Sequence, residues 1–315
     1  MKLRGIVKKI SRYIFDKKYR FNFNNKKFNL YKSMADKTVL NNLYYFKFKK
    51  YINFDNPKTF NEKLQWLKLY DRNPNYTKMV DKYDVKEYIS KIIGEEYIIP
   101  TIGVYEKFDN IDFDKLPNQF VMKCTHDSGG IIICKDKKKL NINLVRKKIN
   151  RLMKKNFYYL SREWPYKNIK PRIIIEKYME DEKIKEIRDY KFFCFNGEPK
   201  IMYVSDNSHT NNQHCCFFDM SYKKLNIKRK DYQEFKKTPT KPITFEKMIN
   251  FSKILSNGIP HVRVDWYEIN GKLYFGELTF YTCSGFIPFE NEKWDYEIGK
   301  MLKLPKKKIS DINEK

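Results

Sequence analysis

The sequence predicts an α+β fold from two kinds of local signal. Two Asn-Gly pairs, at 196–197 and 270–271, each separate two strand-like runs, which is the strongest short-range pattern for a β-hairpin. Helical segments carry recognisable ends, for example Thr59 and Glu62, which form a capping box that satisfies free N–H groups of the first turn. The chain is therefore expected to combine antiparallel strands with capped helices.

The second hairpin, His261–Thr279, carries a cation and two carboxylates among Val, Tyr, Phe, Trp and Leu. A two-residue loop would place Asp265 and Glu277 on opposite faces. We therefore predict a three-residue loop, Ile269 to Gly271, with a bulge that pairs Glu268 with Lys272. In that register one face would hold four polar side chains: Arg263, Asp265, Glu277 and Thr279.

Two carboxylates on neighbouring strands are close enough to bridge a hard cation such as Mg²⁺. The alternative is ordinary surface charge on an exposed sheet face.

The composition argues against a membrane span and a secretory signal. The 315 residues, 41% of them hydrophobic, suffice for one large or two modest cores. The sequence has no run of about 18 apolar residues, and its start lacks the apolar segment and cleavage site of a signal peptide. Six scattered cysteines favour reduced thiols in a cytoplasmic protein and argue against a zinc or disulfide framework.

The formal net charge of +27 has two explanations. A Lys-, Asn- and Ile-rich composition can come from an AT-rich coding sequence, or the charge can serve an anionic partner such as nucleic acid, a membrane surface or a phosphorylated substrate. The most basic part is residues 1–50. Its start predicts an amphipathic helix with Ile6, Ile10 and Ile14 on one stripe, which would either lie on an anionic bilayer or pack on the main domain.

Two helices precede the first strands. One runs from the capping box to about Tyr70, and a second is predicted over 77–93, with Asp81 and Lys82 in its first turns and Gly94 at its end. Lys82 is an exposed helix lysine on the simplest interpretation.

A strand at 120–124 leads into a Gly-Gly loop that is followed by a further strand, after an earlier short strand at 98–105. The backbone N–H groups of such a loop can close over phosphates, and Lys123 is placed to reach one. The loop is not a P-loop, because the GxxxxGK[ST] pattern is absent. The loop residues of interest are Ser128, Gly129 and Gly130.

A helix and a buried strand are predicted next along the chain. Asn143 is predicted to cap a helix over 144–155. The buried strand 172–179 ends in residues that could read an adenine edge, namely Glu176, Lys177 and Tyr178.

The hairpin around Asn196-Gly197 joins strands 189–195 and 200–204, and places Lys191 on a polar face with Asp189. Residues 206–214 are a candidate substrate loop, 216–245 are expected to be peripheral, and 245–257 form a helix.

The order of these segments resembles the TupA-like ATP-grasp family of bacterial surface-polysaccharide loci. The resemblance covers about residues 55–290 and rests on the following runs, of which the last two are the most specific: NPKTFNEKLQWLK, DKYDVKEYI, FVMKCTHDSGG, IIIEKYM, RDYKFFCFNGEPK and VRVDWYEINGKLYFGELTF.

The resemblance implies two α+β lobes that grasp ATP between them. It divides the chain into a basic N-terminal extension, a helical segment, an N-lobe with the lid, a C-lobe with the metal-binding hairpin, and a basic tail. The corresponding ranges are 1–54, 55–100, 101–178, 179–303 and 304–315.

The resemblance also implies ATP-dependent carboxylate–amine ligation, in which an acylphosphate forms and an amine then displaces phosphate. The implied nucleotide-binding residues are Lys82, Lys123, Ser128, Gly129, Gly130, Glu176, Lys177 and Tyr178. Asp265, Glu277 and Thr279 would hold Mg²⁺, while Arg263 and Lys191 would act on the transferring phosphoryl group. The superfamily usually has Glu-x-Asn where this chain has Glu-x-Thr, and a Thr hydroxyl is a poorer Mg²⁺ ligand than an amide oxygen.

Magnesium and the cations would carry most of the catalysis by neutralising charge. No residue stands out as a general base, and His126 and His209 are the weak candidates.

Three functions remain in competition. The first is a ligase that joins an amino acid to a uronic acid on a capsule, O-antigen or teichuronic-type glycan, in the cytoplasm or peripherally on the inner face of the membrane. The second is a glycan-modifying transferase or kinase, although the Asp-x-Asp motif typical of glycosyltransferases is missing. The third is a basic nucleic-acid or membrane-surface binder, which the absence of RNP, KH and helix-turn-helix patterns makes least favoured.

Overall fold

A computed structural model describes residues 2–28, 32–182, 184, 187–206 and 213–307. It confirms the α+β class, with ten α-helices and ten strands in the described residues. The helices are α1 Lys2–Phe15, α2 Lys17–Phe28, α3 Asp36–Phe48, α4 Phe60–Tyr70, α5 Asn75–Val80, α6 Asp84–Ile93, α7 Ile142–Met153, α8 Tyr158–Ser161, α9 Phe245–Ser256 and α10 Lys293–Met301. The strands are β1 Thr101–Tyr105, β2 Phe120–Cys124, β3 Ile131–Cys134, β4 Ile173–Lys177, β5 Asp189–Phe195, β6 Glu198–Asp206, β7 His214–Asp219, β8 Lys224–Leu225, β9 His261–Ile269 and β10 Lys272–Thr279.

The smaller sheet is antiparallel, with strand order β1-β4-β2-β3. Its core forms because β4 opens with three consecutive isoleucines, all fully buried. Helix α7 covers one face with Val145, Ile149 and Leu152, which its 3.6-residue period places on one side.

The larger sheet is antiparallel as well, with strand order β10-β9-β5-β6-β7-β8. One face packs on α9, where the indole of Trp266 donates to the hydroxyl of Ser252 at 2.8 Å. Helix α4 closes one end of the other face, through contact of Phe60 with the ring of Phe193. Next to this contact, the second face carries the charged side chains of Asp189, Lys191, Arg263 and Asp265.

The helix predicted over 77–93 is two helices, α5 and α6. The break lies at Asp81, whose carboxylate accepts from the backbone N–H groups of Tyr83 and Asp84, at 2.8 and 3.1 Å. Because Asp side chains bond their own neighbouring backbone in this way, they favour helix starts over helix interiors. Lys82 therefore lies in a tight connection and not on an exposed helix face.

Two further predictions were wrong. The cap of α7 is Asn141 and not Asn143, since the Asn141 side chain accepts from the N–H of Leu144 at 3.0 Å. The segment 216–245 is not peripheral throughout, because β7 pairs with β6 and buries Phe217 and Phe218 in the main core.

The turn of the β9–β10 hairpin also differs from the prediction. Lys272 pairs with Ile269, so the loop is the two-residue Asn270-Gly271 turn, with φ of +52° and +74°, the conformation of a type I′ hairpin. The bulge lies instead at Gly276, between Phe275 and Glu277. A Cβ on Gly276 would lie 3.0 Å from the carbonyl oxygen of Asp265, so this close approach favours glycine.

The N-terminal extension folds as helices. Helix α1 contacts α2, where the hydroxyl of Tyr13 donates to the Asn24 side chain at 2.9 Å. Val7, Ile10 and Ile14 remain more than half exposed. Among the described residues no helix has the length and apolarity to cross a bilayer. Residues 207–212, with the candidate base His209, and 308–315 lie outside the described residues.

A buried histidine gives the first test. His261 is 1% exposed and packs against Phe60, Phe193 and Phe195. Burial lowers its pKa to about 3. Below about pH 6.5 the imidazole of His261 binds a proton in the unfolded chain but not in the folded chain. The free energy of unfolding therefore decreases by up to about 1.4 kcal/mol per pH unit down to about pH 3.

We expect His261→Phe to reduce the slope of the free energy of unfolding against pH, between about pH 3 and 6.5, by the equivalent of about one proton. The measurement is urea unfolding at a series of pH values. Phe60→Leu is the control, because it perturbs the same cluster without removing a titratable group. An unchanged slope in His261→Phe would contradict the account.

Candidate active site

The site begins as a row of side chains in register across the larger sheet. Asp265 on β9 pairs with Lys191 on β5 and with Glu277 on β10, and Lys191 in turn pairs with Tyr203 on β6. Adjacent strands lie about 4.8 Å apart, so the four side chains form a contiguous line. The bulge at Gly276 sets Glu277 opposite Asp265, which the two-residue turn alone would not do.

Arg263 is the centre of this cluster. Its guanidinium donates two hydrogen bonds to Asp265, each 2.6 Å long, and further bonds to Glu277 at 2.9 Å and Thr279 at 3.0 Å. The predicted common face of these four residues is thus present, although the predicted turn is not. Arg263 is 7% exposed and Asp265 is 1% exposed, so the charges satisfy each other away from water.

Lys191 is the second cation of the cluster. Its ammonium lies 2.8 Å from Asp265 and 3.2 Å from Asp189. Burial alone would lower the pKa of Lys191, but these two carboxylates outweigh it and the pKa lies well above its ordinary value. The Glu277 side chain is about half exposed. The surrounding protein removes part of its hydration, which favours a higher pKa, yet Arg263, Lys191 and Lys82 hold the pKa of that carboxyl near 2. Both residues are therefore ionised at neutral pH.

A cleft between the two sheets adjoins this cluster. It holds about 670 Å³ of empty space, including its mouth, and has both an apolar and a charged part. Apolar lining comes from α5, α6 and β10, and the charged lining comprises Lys82, Lys86, Lys123, Glu176 and Glu277.

Glu176 is held between two lysines of the cleft. Lys123 lies 2.7 Å from one carboxylate oxygen, and Lys86 contacts the other. Both lysines lower the pKa of this carboxyl more than its burial raises it. Lys86 was not among the predicted site residues, although its spacing of four from Lys82 in DKYDVKEYI could have indicated it.

The Gly-Gly loop is anchored to the break between α5 and α6. The backbone N–H of Lys82 donates to the carbonyl of Thr125 at 3.2 Å, and its ammonium donates to the carbonyl of Asp127. Ser128 and Gly129 are exposed and Gly130 is partly buried, with φ of +81° at Gly129.

Other predicted residues lie elsewhere. The backbone N–H of Lys177 donates to the carbonyl of Pro100 at 3.0 Å, and the hydroxyl of Tyr178 donates to Glu180 at 3.2 Å. Neither residue lines the cleft between the sheets. His126 is buried, which lowers its pKa, and its Nε2 lies 3.3 Å from the carbonyl oxygen of Leu152.

The loop after β10 is held in place by α4, which sequence reasoning did not predict. Cys283 and Ser284 both have positive φ, +52° and +55°. The carbonyl of Ser284 accepts from Gln65 at 3.1 Å and from the ammonium of Lys68 at 2.8 Å. Burial lowers the pKa of Lys68 to about 7. Two left-handed non-glycine residues are costly, so these bonds help to stabilise the loop.

The donor set fits a magnesium ion that is completed by phosphates. Asp265 and Glu277 face each other, and Mg²⁺ in nucleotide sites commonly takes one or two carboxylates plus phosphate oxygens and water. No group of three His, Cys, Asp or Glu side chains able to hold a metal occurs in the described part of the chain. An all-protein metal cage is therefore not what these residues form.

The buried cluster yields a stability test. Removing Lys191 would leave Asp189 and Asp265 without their shared cation, so Lys191→Met is expected to destabilise the fold by about 3–5 kcal/mol, measured by urea unfolding. Adding Asp189→Asn should recover part of the loss, because one carboxylate is then neutral. Lys200→Met, on an exposed position of β6, is the control. An effect of Lys191→Met no larger than the control would show that Lys191 is not needed for charge balance.

The chain is similar to a known protein family and to several solved structures. The profile of the family described as "TupA-like ATPgrasp" matches residues 62–303. Among solved structures, the D-alanine–D-alanine ligase from Bacillus anthracis is 18% identical, with 71% of this chain and 59% of that chain covered and a TM-score of 0.36. The corresponding ligase from Helicobacter pylori is 15% identical, with 71% and 61% covered and a TM-score of 0.38.

The ATP-grasp ligase PsnB complexed with minimal precursor is 8% identical, with 66% and 55% covered and a TM-score of 0.37. The chain thus spans less than two thirds of the length of these structures. No curated protein matches it.

Proposed function

Because the chain belongs to the TupA-like ATP-grasp family, and is therefore an enzyme of the ATP-grasp type, we propose that it is an ATP-dependent carboxylate–amine ligase. The family expected from the sequence motifs is confirmed by the match over residues 62–303. The observation that carries the proposal is the in-register cluster of Arg263, Asp265 and Glu277 beside a lysine-lined cleft.

In the proposed reaction a substrate carboxylate attacks the γ-phosphate of ATP, and ADP leaves. The amine then attacks the acylphosphate, an amide forms, and phosphate leaves with the loss of a proton from nitrogen. Mg²⁺, when bound, supplies charge neutralisation of the phosphates. Asp265 and Glu277 would hold that ion, with Thr279 a weaker third ligand.

The cations of the chain have separate roles in this proposal. Lys82, Lys86 and Lys123 would bind phosphate oxygens, and Ser128 to Gly130 would cover them. Arg263 and Lys191 would stabilise charge on the transferring phosphoryl group, since fixed donors in a dry site stabilise such charge strongly. The apolar part of the cleft would take the adenine beside Glu176, which lines it, whereas Lys177 and Tyr178 follow in sequence outside the lining.

We further propose a glycan context, in which an amino acid is joined to a uronic acid of a surface polysaccharide. The support is the family resemblance of the motifs. We also propose that the lobes at 101–178 and 179–303 are the parts that close on ATP. The proposed location is the cytoplasm.

The nucleotide site is tested by thermal unfolding with and without Mg·ATP. A ligand at about 100 times its Kd adds about 2.7 kcal/mol to the stability of the native state. We expect the wild type to gain several degrees, and Glu277→Gln to lose most of this gain. Glu234→Gln, a change of the same kind at an exposed position, is the control. No shift in the wild type would overturn the proposal.

The basic extension motivates a second proposal, peripheral binding to an anionic membrane. Val7, Ile10 and Ile14 are 53–60% exposed on one side of α1, and the sequence around them is rich in Lys and Arg. An amphipathic helix of this kind lies in the membrane interface, and each nearby Lys or Arg adds about 1 kcal/mol of attraction to anionic lipid.

We expect co-sedimentation with phosphatidylglycerol vesicles and little with phosphatidylcholine. The double change Ile10→Asp and Ile14→Asp should abolish it, whereas Ile243→Asp, at a site 88% exposed, should not. Equal binding of all variants would show that α1 is not the contact.

A further inference from the structure

A second buried guanidinium lies on the side of the site away from the cleft. Arg229 is 4% exposed, and its Nε and Nη2 donate to the two carboxylate oxygens of Asp231 at 2.9 and 2.6 Å. Nη2 also donates to the sulfur of Cys283 at 3.0 Å. The third nitrogen, Nη1, is buried and has no hydrogen-bond partner among the described residues.

Arg229 is separated from the phosphoryl-transfer cluster by a single side chain. Tyr203 lies in the cross-strand row with Lys191, and its ring centroid is 5.7 Å from the Arg229 guanidinium carbon. Tyr203 is also within electrostatic range of Arg263. Two strand spacings, about 10 Å, separate Tyr203 from Asp265 in the same row. A substrate with one group at Arg229 and its reacting group at the cluster would have to span at least this distance.

The surroundings of Arg229 suit a ligand with a carboxylate. Arg229 lines a polar depression of about 570 Å³ together with residues of the 227–234 segment and Glu290. Asp231 already engages the guanidinium with two oxygens, as a carboxylate ligand would, and its side chain is 44% exposed. Because an arginine fork matches carboxylate geometry, Asp231 can move to solvent and yield this position to a ligand.

We propose that Arg229 is the binding group for a substrate carboxylate other than the one that is activated. This inference rests on the proposed ligase function and deepens it, because it assigns a second acidic group to one of the substrates. Two sources share this chemistry: the α-carboxylate of an amino-acid nucleophile, and the carboxylate of a second acidic sugar next to the activated uronic acid in the glycan.

Cys283 provides a reporter that needs no identified substrate. It is the exposed cysteine of the chain, and the other five are buried. Iodoacetate carries the carboxylate that the proposal calls for, whereas iodoacetamide is its neutral analogue. We therefore compare the two alkylation rates at Cys283 by peptide mass spectrometry, with the urea-unfolded chain as the internal reference.

In the native protein we expect the iodoacetate-to-iodoacetamide ratio to exceed that of the unfolded chain by about three- to fivefold, as for a partly screened ion pair, and to fall with added salt. Arg229→Gln should remove the preference. Asp231→Asn, which removes the competing charge but keeps a hydrogen-bond acceptor for the guanidinium, should raise it. A native ratio equal to the unfolded one, unchanged in Asp231→Asn, would overturn the proposal.

A competition experiment identifies the source of the carboxylate. The rate at which iodoacetamide alkylates Cys283 is measured with Mg·ATP and a candidate carboxylate at millimolar concentration, and a lower rate indicates that the candidate is bound. Protection by glycine, alanine or glutamate assigns the group to the nucleophile. Protection by di-D-galacturonate, which has two carboxylates, but not by the single sugar D-galacturonate assigns it to the acidic glycan. Protection by neither contradicts a substrate role. The thermal shift of Arg229→Gln with Mg·ATP distinguishes this proposal from the proposed ligase function. We expect that shift to stay at the wild-type value, because the variant loses only the group that binds the second carboxylate.

Discussion

The bidentate ion pair of Arg263 with Asp265 is the interaction on which the rest of the site depends. Two charges with exposures of 7% and 1% cannot stay ionised in a protein interior unless each is matched. Arg263 extends the match to Glu277, and Lys191 extends it to Asp189. Each charge of the cluster thus has a partner within the chain. A bound metal ion and its phosphates would replace some of these partners.

This charge balance in turn requires a particular strand register. The tight Asn270-Gly271 turn alone would leave Asp265 and Glu277 on opposite faces, and the bulge at Gly276 adds the one residue that restores them to the same face. The glycine is needed because the carbonyl of Asp265 approaches it closely. Hairpin, bulge and ion cluster are therefore one structural unit, in which backbone geometry determines where the charge lies.

The parts of the site away from the hairpin are brought to it by long-range packing. Because the helix breaks at Asp81, Lys82 contacts the Gly-Gly loop and Lys86, one turn further on, contacts Glu176. This short connection thus links the smaller sheet to the cleft. On the opposite side, α4 holds the strained loop that carries Cys283. In the proposed function, ATP would bind in the cleft on one side of the Arg263 cluster, and the other substrates would bind on the opposite side, near the loop that carries Cys283.

The sequence by itself determined the α+β class and the hairpin, because turn residues and alternating side chains are local signals, and its motifs identified the family. The common face of Arg263, Asp265, Glu277 and Thr279 was predicted from a three-residue loop that is absent, and it forms because the bulge at Gly276 takes the place of that loop. The sequence did not determine where the compensating bulge lies, since that depends on the close approach of two strands. The spacing of Lys86 from Lys82 could indicate a second lysine of the site but not its pairing with Glu176, and no local signal places Arg229 beside Cys283. Those pairs join residues 54 to 90 positions apart, and only the packing of the sheets and their loops brings such distant charges together.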